Sequence, residues 1–262
     1  MTKIHVLFKK EEISEWKIKE GNKTAVVLDV LLATTTITSA LMDGAKEVIP
    51  VKDIEEGLQT AAKFQQGSCI LAGEIHAKPV KGFLYPSPGH LASTVPHKTL
   101  ILSTTNGTVA LRNASGAKNV YIACLLNNAA VARVVKDGPP DQTIIVICSG
   151  NSGEFSLEDF YGAGHFIDCL LKLEEGEVML SDAALAARRF FLSAEEDALR
   201  VLSSSKVGEL FCRYDFLDEL AFASQFNITS IVPVLKDGRI VLNNPNKDNR
   251  EEWFDGTSKS HQ

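Results

Sequence analysis

The chain has no CxxC pair, and its five cysteines, at 69, 124, 148, 169 and 212, are scattered and odd in number. A disulfide scaffold is thereby excluded, and reduced, mostly buried thiols in a cytoplasmic protein are expected. The six histidines (5, 76, 90, 97, 165 and 261) lack zinc-ligand spacing. No apolar run approaches the ~18 residues of a membrane helix, and the apolar run within residues 1–9 is too short for a secretory signal. Positive charge is also scarce: 27 Lys and Arg against 33 Asp and Glu leave a net charge of −6 over 262 residues. Nucleic-acid binders usually carry a basic face, so neither nucleic acid nor membrane is expected as a partner. An anionic ligand would need local help from a metal, helix N-termini or a few basic side chains.

Several phosphate and hydrolase motifs are missing too. There is no GxxxxGK(S/T), which excludes a nucleotide P-loop. A cysteine phosphatase needs an arginine six residues after its cysteine, but Glu154 follows Cys148 and the other four cysteines lack it as well. The run Gly150-Asn151-Ser152-Gly153 nearly makes a serine nucleophile elbow, with Glu154 where Gly is required. An aspartyl-phosphate site of the haloacid-dehalogenase kind wants a second acid two residues after the first, and Asp29 is followed there by Leu31.

What is present is an alternation. Apolar runs at 4–8, 24–30, 47–51, 69–72, 99–103, 119–123 and 143–148 read as strands. Helical patterns at 34–42, 53–66, 127–136 and 156–173 fall between or after them. Residues 11–22 read as a polar connection and 75–93 as a long irregular loop, a length that is usually functional or mobile inside a compact domain. Further helices are expected at 181–192, 194–203 and 215–224, then a hairpin over 230–242 turning at Asp237-Gly238. The fold class is therefore α/β: a mostly parallel sheet flanked by helices, with a helix-rich second half packed on it. One domain over 1–243 is expected (sheet-forming to about 175, helix-rich from about 176), with 244–262 a polar, disordered tail. Oligomeric state leaves no mark, although the helical half offers a surface for a homo-oligomer.

Four strand ends collect small, polar or acidic residues: Asp29 with Thr34, Thr35 and Thr36; Gly73-Glu74; Ser103 to Thr108; and Ser149 to Glu154. In a parallel sheet these ends share one edge, where ligands gather and helix N-termini face anions. An acid closing a run as apolar as Val26-Val27-Leu28 is costly unless it is paired or binds a metal. The threonines at 34–36 suit either a helix cap or a phosphate. Thr104, Thr105, Asn106, Gly107 and Thr108 suit either a strand-to-helix turn or an anion nest. Glu158 and Asp159 could simply complement the helix N-terminus after Ser156. Carboxylate and carbonyl donors favour a hard ion, Mg²⁺ above others.

The set Val26-Val27-Leu28-Asp29-Val30-Leu31 with Ala33-Thr34-Thr35-Thr36-Ile37, Gly73-Glu74, Ser103 to Thr108, and Gly153 to Asp159 followed by Ala163-Gly164 resembles the 2-phosphosulfolactate phosphatase family. The resemblance spans about residues 4 to 236 with the motifs in order. It implies a Mg²⁺-dependent hydrolase that converts 2-phosphosulfolactate and water to sulfolactate and phosphate, a step of coenzyme M synthesis or of sulfolactate formation. Carried onto this chain, it implies catalytic Asp29, Glu74 and Glu154, and a metal held among Asp29, Glu154, Glu158 and Asp159. The small anionic phosphoester would be held by Thr34, Thr35, Thr104, Thr105, Asn106, Gly107 and Thr108. Two positions depart from the family pattern. Leu32 stands where it usually has Arg, and Tyr85-Pro86-Ser87-Pro88 where it tends to read Gly-Asn-Ser-Pro. Either another cation replaces that arginine (Lys78, Lys81, Arg112 and Arg188 are candidates), or the substrate is a related phospho-hydroxy acid, or the chain is a weakly active or non-catalytic anion-binding homologue.

Overall fold

The computed structural model describes residues 1–75 and 78–243; the expected tail at 244–262 lies outside them. Eleven strands are found among the described residues. They are β1 (Thr2–Leu7), β2 (Lys23–Leu28), β3 (Glu47–Val51), β4 (Cys69–Ile75), β5 (Lys78–Pro79), β6 (Thr99–Ser103), β7 (Asn119–Ala123), β8 (Thr143–Cys148), β9 (Val178–Leu180), β10 (Pro233–Lys236) and β11 (Arg239–Leu242). The helices of the first half are α1 (Glu15–Lys19), α2 (Ala33–Met42), α3 (Ile54–Ala61), α4 (Pro88–Leu91), α5 (Gly107–Asn113), α6 (Asn128–Lys136) and α7 (Leu157–Leu171). The helix-rich half adds α8 (Asp182–Ser193), α9 (Ala198–Ser203), α10 (Lys206–Arg213) and α11 (Leu217–Ala223).

The α/β architecture follows the sequence pattern, with five additions. Residues 11–22 contain α1, the irregular stretch 75–93 contains β5 and α4, β9 precedes α8, and α10 lies between the helices expected at 194–203 and 215–224. All five are short, of two to eight residues, below the length at which a hydrophobic period can be read. None of the described helices is long and apolar enough to cross a membrane, and all five cysteines are unpaired.

The sheet order is β5-β4-β6-β3-β11-β10-β7-β2-β8-β1-β9. β7, β2, β8, β1 and β9 pair parallel, and so do β3, β6 and β4. The hairpin β10–β11 lies between the two groups and is antiparallel to both its neighbours. Three reversals in a row make the second parallel group run opposite to the first. The four strand ends therefore do not share one edge of a single parallel sheet, as the alternation implied. They nevertheless meet. Five steps separate β6 from β2, and at ~20–25° of twist per step the strands rotate by roughly 100–125°. That rotation swings the carboxyl end of β6 back toward that of β2, and the joints that allow it are thin, with Val234 opposite Tyr121 and Ile240 opposite Val48.

β2 is buried on both faces, which explains its unbroken apolar run. Val26 and Leu28 pack into one core with Val146, Phe166, Phe191, Leu202 and Phe211, so the helix-rich half is docked on that face. Ala25 and Val27 pack into the other core with Ile37, Leu100, Leu102, Leu111 and Ile240. That second core draws on both parallel groups, with α2 and α5 between them.

Ile240 is fully buried and joins the groups. Replacing it with alanine is expected to cost about 2–5 kcal/mol. Chemical denaturation should show this as a lowered midpoint at unchanged m-value.

Candidate active site

Asp29 follows β2, where the chain leaves the core and turns into α2. The turn is closed by Thr34, whose hydroxyl accepts from the Asp29 amide (3.0 Å) and donates to the Asp29 carbonyl (2.9 Å). Thr35 donates to the Val30 carbonyl (2.8 Å) and Thr36 to the Pro86 carbonyl (2.6 Å). All three threonines are fully buried. Their hydroxyls thus hold the backbone that presents the acid, and none of them lines the cavity described below.

The Asp29 carboxylate accepts from the backbone amides of Ala33 and Gly107. Gly107 opens α5 and is pressed against the acid. A Cβ there would lie 2.6 Å from Asp29 Oδ2 and 2.5 Å from the Ala33 Cβ. Only glycine permits that approach. Before it, Thr104 and Thr108 cap each other: the Thr108 amide donates to Thr104 Oγ1 (3.1 Å), and Thr108 Oγ1 donates to the Thr104 carbonyl (2.9 Å). Glu74, on β4, accepts from the Thr105 amide (2.7 Å) and hydroxyl (3.2 Å). Asn106 accepts from Lys10 Nζ (2.8 Å) and from the Ser152 amide (3.0 Å), which ties the β6 turn to the loop after β8.

These pieces enclose a cavity of about 230 Å³ lined by Asp29, Leu31, Leu32, Ala33, Glu74, Tyr85, Pro86, Thr104, Thr105, Asn106, Asn151 and Ser152. The helix-rich half closes it with Lys206, Val207, Leu210 and Phe211. Of the expected site residues, Asp29, Glu74, Thr104, Thr105 and Asn106 are brought together here. Gly107 and Thr108 support the wall from behind. Glu154 is elsewhere: its backbone closes a small loop with Asn151 (2.9 and 3.0 Å), and its side chain is exposed and outside the cavity lining. Of the four cations considered as substitutes for the missing arginine, none lines the cavity. Arg112 is bound to Glu56 and Arg188 to Asp168.

Glu158 and Asp159, at the start of α7, are buried beneath Asp29. Asp159 joins two strand ends, accepting from the Val30 amide (2.8 Å) and the Gly150 amide (3.1 Å). The Ser156 and Ser205 hydroxyls lie beside Glu158 and favour its ionised form. Burial, then Glu74 and Glu158 nearby, pushes the Asp29 carboxyl up to about 7. Burial first, then Asp29 and Glu158, raises Asp159 well above the carboxylate range, and burial raises Glu158. Among the described residues no three His, Cys, Asp or Glu side chains form a ready metal cage. A surplus of buried negative charge with oxygen donors facing a cavity is nonetheless the setting in which a hard divalent ion is stable, and Mg²⁺ commonly takes only one or two carboxylates from the protein.

The cavity residues that the sequence motifs did not single out are the α10 side chains. Tyr85 and Pro86, marked in the sequence as a departure from the family pattern, line the cavity from the irregular stretch. Lys206 and Phe211 carried no signal, because they lie on α10, which falls between the helices expected at 194–203 and 215–224.

A cleft formed where the strands of a twisted sheet end is the usual place for a ligand site in an α/β protein. Residues 7–238 match the family model described as 2-phosphosulpholactate phosphatase. The chain is 37% identical over 233 residues to a protein named probable 2-phosphosulfolactate phosphatase from Clostridium novyi (strain NT), covering 88% of this chain and 96% of that one. Similar matches are proteins of the same name from Caldanaerobacter subterraneus subsp. tengcongensis (36%; 86% and 92% covered) and Clostridium tetani (36%; 90% and 99% covered). The chain belongs to the 2-phosphosulfolactate phosphatase family.

The Asp29 environment has a measurable consequence. Its folded carboxyl titrates at about 7 against an ordinary 3.8, so ionising it weakens the fold as pH rises through that window. Below about pH 4 both states are protonated and nothing is lost. Above 7 the full cost applies, on the order of 4 kcal/mol at 1.36 kcal/mol per pH unit. Asp29→Asn should therefore melt higher than the parent at pH 8 in EDTA, with the gain vanishing near pH 4.

Proposed function

We propose that the protein is a Mg²⁺-dependent phosphatase that hydrolyses 2-phosphosulfolactate to sulfolactate and phosphate. The observation that carries this reading is the meeting of Asp29 and Glu74, from strands 45 sequence positions apart (74 minus 29), with the Thr104–Thr105–Asn106 turn in one cavity. Asp29 and Glu74 face the cavity and would hold the ion. When bound, it supplies positive charge to the phosphoryl oxygens and acidifies a water. Thr104, Thr105 and Asn106 on one wall, and Asn151 and Ser152 on another, orient the phosphoryl group. A carboxylate of the cluster that does not hold the ion receives the proton of the attacking water. The displaced alkoxide of sulfolactate leaves in line. Gly107 holds Asp29 in position through its amide, and Asp159 fixes the strand ends beneath it.

A second reading is a phosphatase for a less charged phospho-hydroxy acid. It is favoured by one observation: Leu32 lines the cavity at the position where the family resemblance places an arginine.

Phosphate release from 2-phosphosulfolactate with Mg²⁺ should stop in EDTA, and full activity without a divalent ion would refute the metal role. Asp29→Asn is expected to lower kcat/KM at least a hundredfold while the chain stays folded. Glu74→Gln should lose more than Glu154→Gln, and the reverse order would move the catalytic acids to the loop after β8. Comparing 2-phosphosulfolactate, 2-phospholactate and phosphoglycolate separates the two readings. Leu32→Arg should shift preference toward the most charged of the three by roughly tenfold to a hundredfold, the range for one charged hydrogen bond.

A further inference from the structure

The cavity has two unlike walls. Asp29, Glu74 and the Thr104–Asn106 turn form the polar one, while Leu31, Leu32, Val207, Leu210 and Phe211 form an apolar one. Lys206 is the single basic side chain among the residues that line it. Its surroundings set it apart from the other lysines near the site. Lys10 is bonded to Asn106 (2.8 Å) and Glu11 (3.0 Å), and Lys9 to the Gly153 carbonyl (2.9 Å). Lys206 is exposed at the edge of the cavity and has no hydrogen bond or ion pair among the described residues, although the neighbouring wall is rich in carboxylates.

Its position is nevertheless fixed. Lys206 is the first residue of α10, and Ser205 before it caps the helix by accepting from the Gly208 amide (3.0 Å). The buried Ser205 hydroxyl donates to the Leu202 carbonyl (2.8 Å) and also meets Glu158, within the acid cluster under Asp29. The backbone carrying Lys206 is thus tied to the same cluster that places Asp29, while its ammonium is left uncommitted.

We infer that Lys206 recognises the sulfonate of the substrate, and so performs the charge pairing that Leu32 cannot. This rests on the phosphatase reading above. A phosphate seated against Thr104–Asn106 leaves the far end of a three-carbon acid to face α10. A sulfonate is ionised at every physiological pH, and next to an apolar wall it needs a cationic partner. Lys206 is the one available among the residues lining the cavity. Specificity then comes from the helix-rich half, and bond cleavage from the strand ends.

The test compares the parent with Lys206→Met, which keeps most of the apolar stem, and Lys206→Arg, which keeps the charge. Lys206→Met should reduce the ratio of kcat/KM for 2-phosphosulfolactate over 2-phospholactate by tenfold to a hundredfold, mainly through KM, and Lys206→Arg should restore most of it. Inhibition by sulfolactate should weaken in parallel, with inhibition by inorganic phosphate retained. An unchanged ratio overturns the assignment. So does an equal loss on both substrates, which would put Lys206 on the phosphate or in long-range attraction. Should the parent hydrolyse neither ester, the phosphatase reading fails by itself. Calorimetry with sulfolactate then still decides Lys206: weaker binding to Lys206→Met supports the assignment, and equal or absent binding removes it.

Discussion

The rest of this structure depends on keeping one carboxylate, that of Asp29, buried among other carboxylates. Left alone, such a group would protonate or pull its loop into water. Here it is enclosed by donors that cannot easily move: the Ala33 amide in the first turn of α2 and the Gly107 amide at the start of α5. Each is the first residue of a helix, with its amide free of the helix's own ladder, so the acid is aimed by backbone rather than by flexible side chains. The threonine hydroxyls of the turn serve the same end one layer back. An arrangement that strains the fold in the absence of a counter-ion is what a site for a cation and a phosphoester would need.

Much of this was legible in the sequence, for reasons that can be named. β2 showed itself by an apolar run that only a strand covered on both faces requires, and Asp29 stood out because it ends that run. Ser156 and Asp53 were readable as helix caps, and the structure has both, accepting from the Asp159 and Glu56 amides. These are local features, settled within a few residues. Motif order along the chain likewise carried the family.

What was not legible depends on pairings across the chain. Turn chemistry at Asp237-Gly238 announced a hairpin, but nothing local said that it would sit in the middle of the sheet and reverse one parallel group against the other. The threonines at 34–36 looked equally suited to capping and to phosphate. The choice was made by the depth of α2, which buries them and engages their hydroxyls with nearby carbonyls. Lys206 was invisible because no helix was read between 203 and 215, and the residue sits exposed at the edge of a cavity that only the fold brings beside it. Glu154 had a sequence rationale, yet the small loop it closes turns its side chain outward.

The hairpin also bears on how the molecule is made. Residues 233–242 are the last of the described strands to leave the ribosome, and they occupy the seam between two groups of strands synthesised well before them. Each group can pair internally while the chain is still growing, but their joint edge must remain open until the hairpin arrives. A nascent chain therefore carries two unprotected strand edges, β3 and β7, from the completion of β7 until the hairpin emerges, and such edges are where strands of different chains join. The acid cluster at the strand ends would during that time be half-assembled and open to water. Closing the seam would then complete the sheet and bury Asp29 in a single late event.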